Sequence, residues 1–208
     1  MGLPMGFRLL RSANLLQSCT TDVLKTNKLD SGKWGVDVSV LLHAIFGTCY
    51  PYLMDGYADD GLTLLVKYFK QLTVYGLEPI AVFDGILTKE KETTNDSRDN
   101  KRNIARDRFK ILYSSWIRGI WPGEEDIPAL DILDTHTIDE LDEIDKDNLL
   151  TSNITKCAKE AFVITGDLIN ACVRRLKAND IKCCISNGEA DTYIAQLYKT
   201  KKIVGVTL

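Results

Sequence analysis

Four carboxylate side chains follow apolar runs of the sequence that have the pattern of buried β-strands. Asp37 and Asp84 each come directly after such a run, and Glu189 and Asp191 come just after a third one. Because ligands of parallel α/β sheets bind at the carboxyl ends of the strands, we expect these side chains to converge on one edge of a sheet. Four carboxylates at one place repel one another unless protons or cations neutralise them, and Mg²⁺ or Mn²⁺ with oxygen ligands is the usual solution. The pattern therefore predicts a carboxylate-rich metal or phosphoryl site.

Each of these acids also has a purely structural explanation. Asp84 precedes Gly85 in a dipeptide that favours a tight turn, and Asp37 is well placed to cap a following helix. Glu189 and Asp191 would complement a helix N-terminus, which is worth about 0.3–1 kcal/mol. Taken singly, these structural explanations are favoured. Three strand ends that all deliver acids to one edge favour a functional site instead.

A different α/β phosphoryl-transfer chemistry, with Asp37 as the nucleophile, is a weaker alternative. Phosphatases of that kind need a second acid two residues after the nucleophile for acid–base work, and Ser39 stands at that position here. A phosphoenzyme that is lost in the Asp37→Asn variant would revive this alternative.

The elements that must position these acids alternate between strand-like and helix-like patterns. In the segment 58–75, apolar side chains recur at a spacing typical of a helix that faces a core, at Leu62, Val66, Phe69 and Leu72. Strands are predicted at 33–38, 79–83, 181–185 and 203–206. Helices are predicted at 40–47, 58–75, 189–201 and from an N-cap at Thr165 to Lys177. Strands separated by helices imply βαβ units and a mostly parallel, twisted central sheet flanked by helices.

A basic helix is predicted between the second and third strands, over residues 98–118. Its apolar stripe consists of Ala105, Phe109, Leu112 and Trp116. Its adjoining basic row, at intervals of four residues, consists of Arg102, Arg106 and Lys110. Such a row is either a solvated face or a phosphate-contacting element, because Lys and Arg supply most of the sequence-independent affinity for nucleic acids.

Charge is distributed unevenly along the 208 residues, whose formal net charge is −3. Residues 123–147 carry 11 acids and one Lys, so the rest of the chain holds 25 bases against 18 acids, a net charge of +7. Because exposed charges more than about 10 Å apart are largely screened at ordinary salt, the total charge does not exclude a nucleic-acid partner. The acidic run is either a solvated loop or a segment that competes with an anionic ligand for a basic surface.

Composition excludes several classes of protein. With 45% hydrophobic residues, 14 Gly and 5 Pro, the chain is neither collagen-like nor intrinsically disordered. The sequence contains no uninterrupted run of 18 apolar residues, so no membrane span is predicted. Six Cys without a Cys-x-x-Cys pair, together with only two His, argue against a standard zinc site. We expect buried thiols and a reducing intracellular compartment.

Three blocks stand in the order and near the spacing of a known nuclease family: GKWGVDVSVLLHAIF at 32–46, GLEPIAVFDG at 76–85 and NDIKCCISNGEADTYIAQLYKTKKIVGVT at 179–207. Over most of its length the chain resembles the flap endonuclease, exonuclease 1 and xeroderma pigmentosum group G family of structure-specific 5′ nucleases. The Leu42-His43 pair and the Glu189-Ala190-Asp191 form are most similar to the exonuclease 1 branch. The resemblance implies a PIN-like 5′-nuclease core with a helical arch inserted into it.

The resemblance also implies a metal site. Asp37, Asp84, Glu189 and Asp191 would belong to a carboxylate set that holds two divalent ions, Mg²⁺ or Mn²⁺. Two such ions about 3.5–4 Å apart activate water and stabilise the leaving oxygen of a phosphodiester. These four residues are therefore the expected metal ligands and catalytic carboxylates.

The same resemblance implies contacts with DNA. Lys91 and Arg98 would complete the catalytic set, because they match basic positions of the arch that contact the scissile phosphate. The other expected nucleic-acid contacts are Gly2 beside the site, His43 near the junction, and Lys101 and Arg102 in the arch.

Four regions are predicted: an N-terminal nuclease region 1–85, a basic helical arch 86–122, an acidic flexible insert 123–160 and an internal nuclease region 161–208. In the family, further metal-binding aspartates and a helix-two-turn-helix element follow the last strand, and this sequence stops before them. We therefore expect a form that lacks the C-terminal part of the family fold and is weakly active or inactive alone. Robust Mg²⁺-dependent cleavage of a 5′ flap by the 208-residue chain would contradict that expectation.

The expected function is that of a Mg²⁺-dependent 5′ nuclease, a 5′–3′ exonuclease or flap endonuclease that hydrolyses DNA phosphodiesters in repair or replication. We expect DNA with 5′ ends, flaps or nicks as its partner, a monomeric state and, in a eukaryote, a nuclear location. The alternative is a non-catalytic relative that keeps the sheet and binds nucleic acid or protein. An Asp84→Ala substitution would abolish the role of the nuclease and spare that of the binding module.

Overall fold

A parallel sheet forms the centre of the protein in a computed structural model that describes residues 32–85, 95–122 and 142–207. Its strands are β1 (Gly32–Asp37), β2 (Leu77–Phe83), β3 (Lys182–Ile185) and β4 (Gly205–Thr207). They lie in the order β3-β2-β1-β4, and every neighbouring pair is parallel. The carboxyl ends of β1 and β2 therefore lie at one edge of the sheet, where Asp37 pairs with Val82. The predicted α/β architecture is confirmed.

Seven helices flank this sheet in the described ranges. They are α1 (Val38–Phe46), α2 (Tyr50–Asp55), α3 (Asp59–Val74), α4 (Asn95–Ile117), α5 (Glu143–Ala161), α6 (Gly166–Lys177) and α7 (Ala190–Lys199). The predicted strands and helices are all present, with ends that differ by three residues or fewer, while α2 and α5 were not predicted. None of these helices, as far as the chain is described, is long and apolar enough to cross a bilayer.

Local sequence signals account for the bounds of α6. Thr165 caps the helix, because its hydroxyl oxygen accepts a hydrogen bond from the Leu168 N–H at 3.2 Å. Leu168, Cys172 and Leu176 are buried at intervals of four residues and pack into the main core. The predicted N-cap and the predicted last helical residue, Lys177, are both confirmed.

The main core lies between the sheet and helices α1, α3 and α6. The predicted stripe of α3 is buried there, because its four apolar side chains all face the sheet: Leu62, Val66, Phe69 and Leu72. Burial of a large apolar side chain is worth about 1.5–3 kcal/mol, so this stripe anchors α3 against β2.

Helices α4 and α5 pack against each other around a second core. Phe109 and Leu112 of α4 are buried against Leu150 and Ile154 of α5. The expectation that Trp116 continues the apolar stripe of α4 is wrong, since that side chain is 41% exposed. It lies in the last turn of α4, where it stacks on Tyr113 rather than entering the core.

Helix α5 occupies part of the region that the sequence assigned to an acidic insert. Its buried positions Leu150, Ile154, Cys157 and Ala158 recur with helical spacing. The sequence did not predict this helix, because its first turns belong to the acidic run and hide the apolar stripe that follows. Residues 123–141, which hold most of that run, lie outside the described residues, and the four predicted regions stay a prediction.

The loops that follow β2 and β3 touch at Gly85. The Gly85 N–H donates a hydrogen bond to the Gly188 carbonyl at 2.8 Å, and the Ser186 N–H donates to the Phe83 carbonyl at 3.0 Å. A Cβ atom at Gly85 would lie 1.9 Å from the Ser186 carbonyl oxygen, so no larger residue fits without backbone movement. This close approach places Asp84, the neighbour of Gly85, beside the start of α7.

We predict that Gly85→Ala destabilises the protein by about 1–3 kcal/mol, because the added methyl group forces the two loops apart. Urea unfolding monitored by tryptophan fluorescence measures the effect. Gly166→Ala is the matched control, since a Cβ there meets nothing within 4 Å and should stabilise by about 0.4–1 kcal/mol. Equal stabilities of the two variants would contradict the proposed tight contact.

Candidate active site

Asp37 is buried at the junction between β1 and α1. It is the last residue of β1 and the N-cap of α1, and its Oδ1 accepts a hydrogen bond from the Ser39 N–H at 2.8 Å. Its side chain lies close to the carboxyl group of Asp191, and the residue is only 7% exposed. The capping role that the sequence allowed is therefore present. It coexists with a contact to a second acid, which capping alone does not require.

Asp84, directly after β2, is held by donors from two different helices. Its Oδ2 accepts the Ser39 hydroxyl of α1 at 2.5 Å. Its Oδ1 accepts the N–H of Ala190, the first residue of α7, at 2.7 Å. The turn at Asp84-Gly85 therefore does more than end a strand. It delivers a carboxylate to the N-termini of α1 and α7, whose partial positive charge favours an anion.

The start of α7 supplies the other two acids. Asp191 lies in the first turn of α7 and is exposed, and its carboxyl group lies close to that of Asp37. Glu189 is the N-cap residue of α7 and is also exposed, and its side chain makes no capping hydrogen bond. The structure thus brings Asp37, Asp84 and Asp191 together at one edge of the sheet. Glu189 lies next to them on the same helix terminus.

Burial raises the pKa of Asp37 to about 6. The Ser39 N–H opposes this shift, while the negative charges of Asp84 and Asp191 and the hydrogen bond with Asp191 add to it. Such a group is costly to ionise, because it loses water and faces like charges at the same time. A cation at this edge would remove both penalties.

The donor set fits a hard divalent ion in its chemistry, since Mg²⁺ and Mn²⁺ prefer carboxylate oxygens. The described geometry is not that of a ready-made cage. Across residues 32–85, 95–122 and 142–207, no three His, Cys, Asp or Glu side chains are grouped as metal ligands. Both oxygens of Asp84 accept protein donors instead, so an ion bound there would replace or share at least one of those hydrogen bonds.

A basic groove runs along α4. It has a volume of about 460 Å³ and is lined by Lys101, Arg102, Ile104, Ala105, Arg108 and, from α5, Glu160. Arg102 forms an ion pair with Asp99 at 2.9 Å, which is worth little on an exposed helix and leaves the guanidinium available to a stronger anion. Arg108 was not singled out in the sequence, because it lies outside the four-residue row of bases.

His43 lies on α1 with its ring edge-on to Phe162 at a centroid distance of 5.1 Å. Burial lowers the pKa of its imidazole, and the nearby charge of Arg102 lowers it further. The neutral form of the ring is therefore favoured over the imidazolium cation. Because the charge of Arg102 acts on His43, these two expected nucleic-acid contacts lie near each other.

The remaining expected residues cannot be placed in the site. Gly2 and Lys91 lie outside the described residues. The backbone of Arg98 belongs to α4, but its side chain is outside the description. Their roles stay predictions.

The edge of the sheet that carries Asp37, Asp84, Glu189 and Asp191 is called the acidic edge below. A second cavity borders it. It has a volume of about 590 Å³ and is lined by Ile185, Ser186, Asn187, Gly188, Glu189, Thr192, Tyr193 and Gln196. Sequence reasoning did not anticipate it, because the loop and the outer face of α7 meet only in the folded protein. Ser39 was likewise missed as a site residue. No local signal could have identified it, because its hydroxyl bonds to Asp84, which is 45 residues away in the sequence.

One protein-family model matches the N-terminal part of the chain, which supplies two of the four acids. Residues 8–105 match the family model of the XPG N-terminal domain, and the matched stretch includes Asp37 and Asp84. Among curated proteins, no match is found. The domain match supports a relation to the structure-specific 5′ nucleases and does not distinguish the exonuclease 1 branch. Glu189 and Asp191 lie beyond the matched residues.

We predict that Asp37→Asn stabilises the protein at pH 7 by roughly 2–3 kcal/mol, because Asn keeps the cap and removes the buried charge. The pKa of Asp37 is about 6 in the folded protein against 3.8 ordinarily, so the folded state binds more protons between these values. The wild-type protein therefore loses stability as the pH rises from about 4 to about 6. The gain in stability of Asp37→Asn over the wild type should vanish near pH 4.

Urea unfolding at pH 4, 5, 6 and 7 measures this difference, with Mg²⁺ absent. Asp107→Asn on the exposed face of α4 is the control for loss of one negative charge. A gain for Asp37→Asn that is the same at pH 4 and pH 7 would contradict the assigned pKa.

Proposed function

We propose that this protein is a Mg²⁺- or Mn²⁺-dependent structure-specific 5′ nuclease that hydrolyses DNA phosphodiesters. The observation that carries the proposal is the meeting of Asp37, Asp84 and Asp191 at the carboxyl edge of a parallel sheet. The match of residues 8–105 to the XPG N-terminal domain supports it, because that domain belongs to a nuclease family. The basic groove of α4 supplies a surface for a polyanion.

Four carboxylates would hold the metal: Asp37, Asp84, Glu189 and Asp191. When bound, such ions would supply Lewis-acid stabilisation and a water of lowered pKa. Ser39 and the N-terminus of α7 orient Asp84, and the buried position of Asp37 keeps water away from one side of the site. Lys91 and Arg98 are proposed to contact the scissile phosphate, and Gly2 is proposed to lie beside the site.

The proposed substrate is DNA with a 5′ end, a flap or a nick. Lys101, Arg102 and Arg108 line a groove that would neutralise backbone phosphates without reading the sequence. His43 would contact the DNA near the junction as a polar group. The proposed relation to the exonuclease 1 branch rests on the Leu42-His43 pair and the Glu189-Ala190-Asp191 form. The proposal includes a role in DNA repair or replication, a nuclear location and a monomeric state.

A non-catalytic binding module is the second candidate function. The observation that favours it is the hydrogen bonding of Asp84, whose two oxygens both accept protein donors. In that case the acids stabilise the junction of α1, β2 and α7, and the basic groove alone binds nucleic acid. The binding module would bind a divalent ion only weakly at the acidic edge, whereas the nuclease requires a bound ion for catalysis.

We predict that 10 mM Mg²⁺ raises the melting temperature by about 3–5 °C, because an ion bound only by the folded state shifts the unfolding equilibrium. The shift should disappear in Asp84→Asn and persist in Asp107→Asn. Each variant is compared with and without Mg²⁺ at matched ionic strength, by differential scanning calorimetry. An equal shift in all three proteins would contradict a metal site at Asp84.

Hydrolysis of a labelled 5′-flap duplex separates the two functions. The nuclease predicts slow Mg²⁺-dependent cleavage that falls by about 100-fold or more in Asp84→Asn. The binding module predicts salt-sensitive binding of the duplex, measured by fluorescence anisotropy, with no cleavage and no effect of Asp84→Asn. The second pattern would overturn the proposed catalytic function.

A further inference from the structure

Ser39 donates hydrogen bonds to two carboxylates of the acidic edge. Its backbone N–H bonds to Oδ1 of Asp37 at 2.8 Å, and its hydroxyl bonds to Oδ2 of Asp84 at 2.5 Å. Asp37 ends β1 and Asp84 follows β2, so one residue in the first turn of α1 spans the ends of two neighbouring strands. No expectation from the sequence gave Ser39 a role in the site.

The second bond fixes the orientation of Asp84. Its other oxygen, Oδ1, accepts the Ala190 N–H at 2.7 Å, so its two oxygens are tied to opposite sides of the edge. A carboxylate held at both oxygens cannot rotate freely about its side-chain torsions. Hydrogen bonds of this kind are stronger than neutral ones because the acceptor is charged. Without the hydroxyl, Asp84 would keep only its attachment to α7.

We propose that Ser39 is a positioning residue that sets the orientation of Asp84 and its spacing from Asp37 for binding of a divalent cation. This inference rests on the proposed function of the acidic edge. Residues that orient metal ligands commonly change metal affinity by about 10–100-fold when they are removed. The effect of Ser39 should pass through its hydroxyl, since the backbone N–H that bonds to Asp37 is kept by every substitution except proline.

A metal-free double-mutant cycle tests the link between Ser39 and Asp84. Unfolding in urea with EDTA is compared for the wild type, Ser39→Ala, Asp84→Ala and the double variant. We expect Ser39→Ala to raise the unfolding constant about tenfold alone and less than about threefold in the Asp84→Ala background. An equal effect in both backgrounds would overturn the link.

Mn²⁺ binding, measured by electron paramagnetic resonance of the free ion, tests the positioning role itself. Ser39→Ala should raise the Kd for Mn²⁺ about tenfold, and Ser39→Thr, which keeps a hydroxyl, should restore it. Ser152→Ala, on the exposed face of α5, should leave the Kd unchanged. An unchanged Kd in Ser39→Ala would overturn the positioning role.

Failure of this inference and failure of the proposed function give different results. If the wild type binds Mn²⁺ but the double-mutant cycle shows no coupling, only the role of Ser39 is overturned. If the wild type does not bind Mn²⁺ while the cycle shows coupling, the proposed metal site is overturned, and the role of Ser39 in positioning Asp84 for a cation falls with it.

Discussion

The attachment of Asp84 to two helix N-termini is the constraint on which the acidic edge depends. The Ser39 hydroxyl of α1 and the Ala190 N–H of α7 hold its oxygens at 2.5 and 2.7 Å. Both helices begin at this edge because parallel strands end there, and their dipoles favour negative charge at the same place. The close approach at Gly85 brings the loops after β2 and β3 together and so places the start of α7 within reach of Asp84. Chain segments far apart in sequence thereby share one carboxylate.

That arrangement concentrates negative charge where a folded protein would otherwise avoid it. Burial and two neighbouring acids raise the pKa of Asp37, which means that its ionised form costs stability at neutral pH. Proteins retain destabilising groups of this kind mainly at functional sites, where a ligand supplies the missing interaction. A divalent cation is the ligand whose charge and oxygen preference match this edge. The basic groove of α4 lies on a separate element, so the proposed metal site and the proposed phosphate-binding surface do not compete for the same side chains.

Sequence patterns predicted the elements whose signals are local and missed those that depend on tertiary contacts. Apolar runs followed by Asp37 and Asp84 predicted both strands and their shared edge, and Thr165 predicted the start of α6. The predicted apolar stripe of α4 wrongly included Trp116, because hydrophobic periodicity does not show where the partner helix ends. Helix α5 was not predicted, because its first turns belong to the acidic run and hide the apolar stripe that follows. The hydroxyl bond of Ser39 was not predicted, because Ser39 and Asp84 meet only in the folded chain.

The central claim is that the acidic edge binds divalent metal, and anomalous X-ray scattering from crystals of the protein grown or soaked with Mn²⁺ tests it most directly. The account predicts an anomalous peak at the manganese absorption edge within coordination distance of Asp37, Asp84 or Asp191. It also predicts that Asp84 keeps its hydrogen bond to Ser39 when the ion is bound. Peaks confined to other surfaces at saturating Mn²⁺ would contradict it.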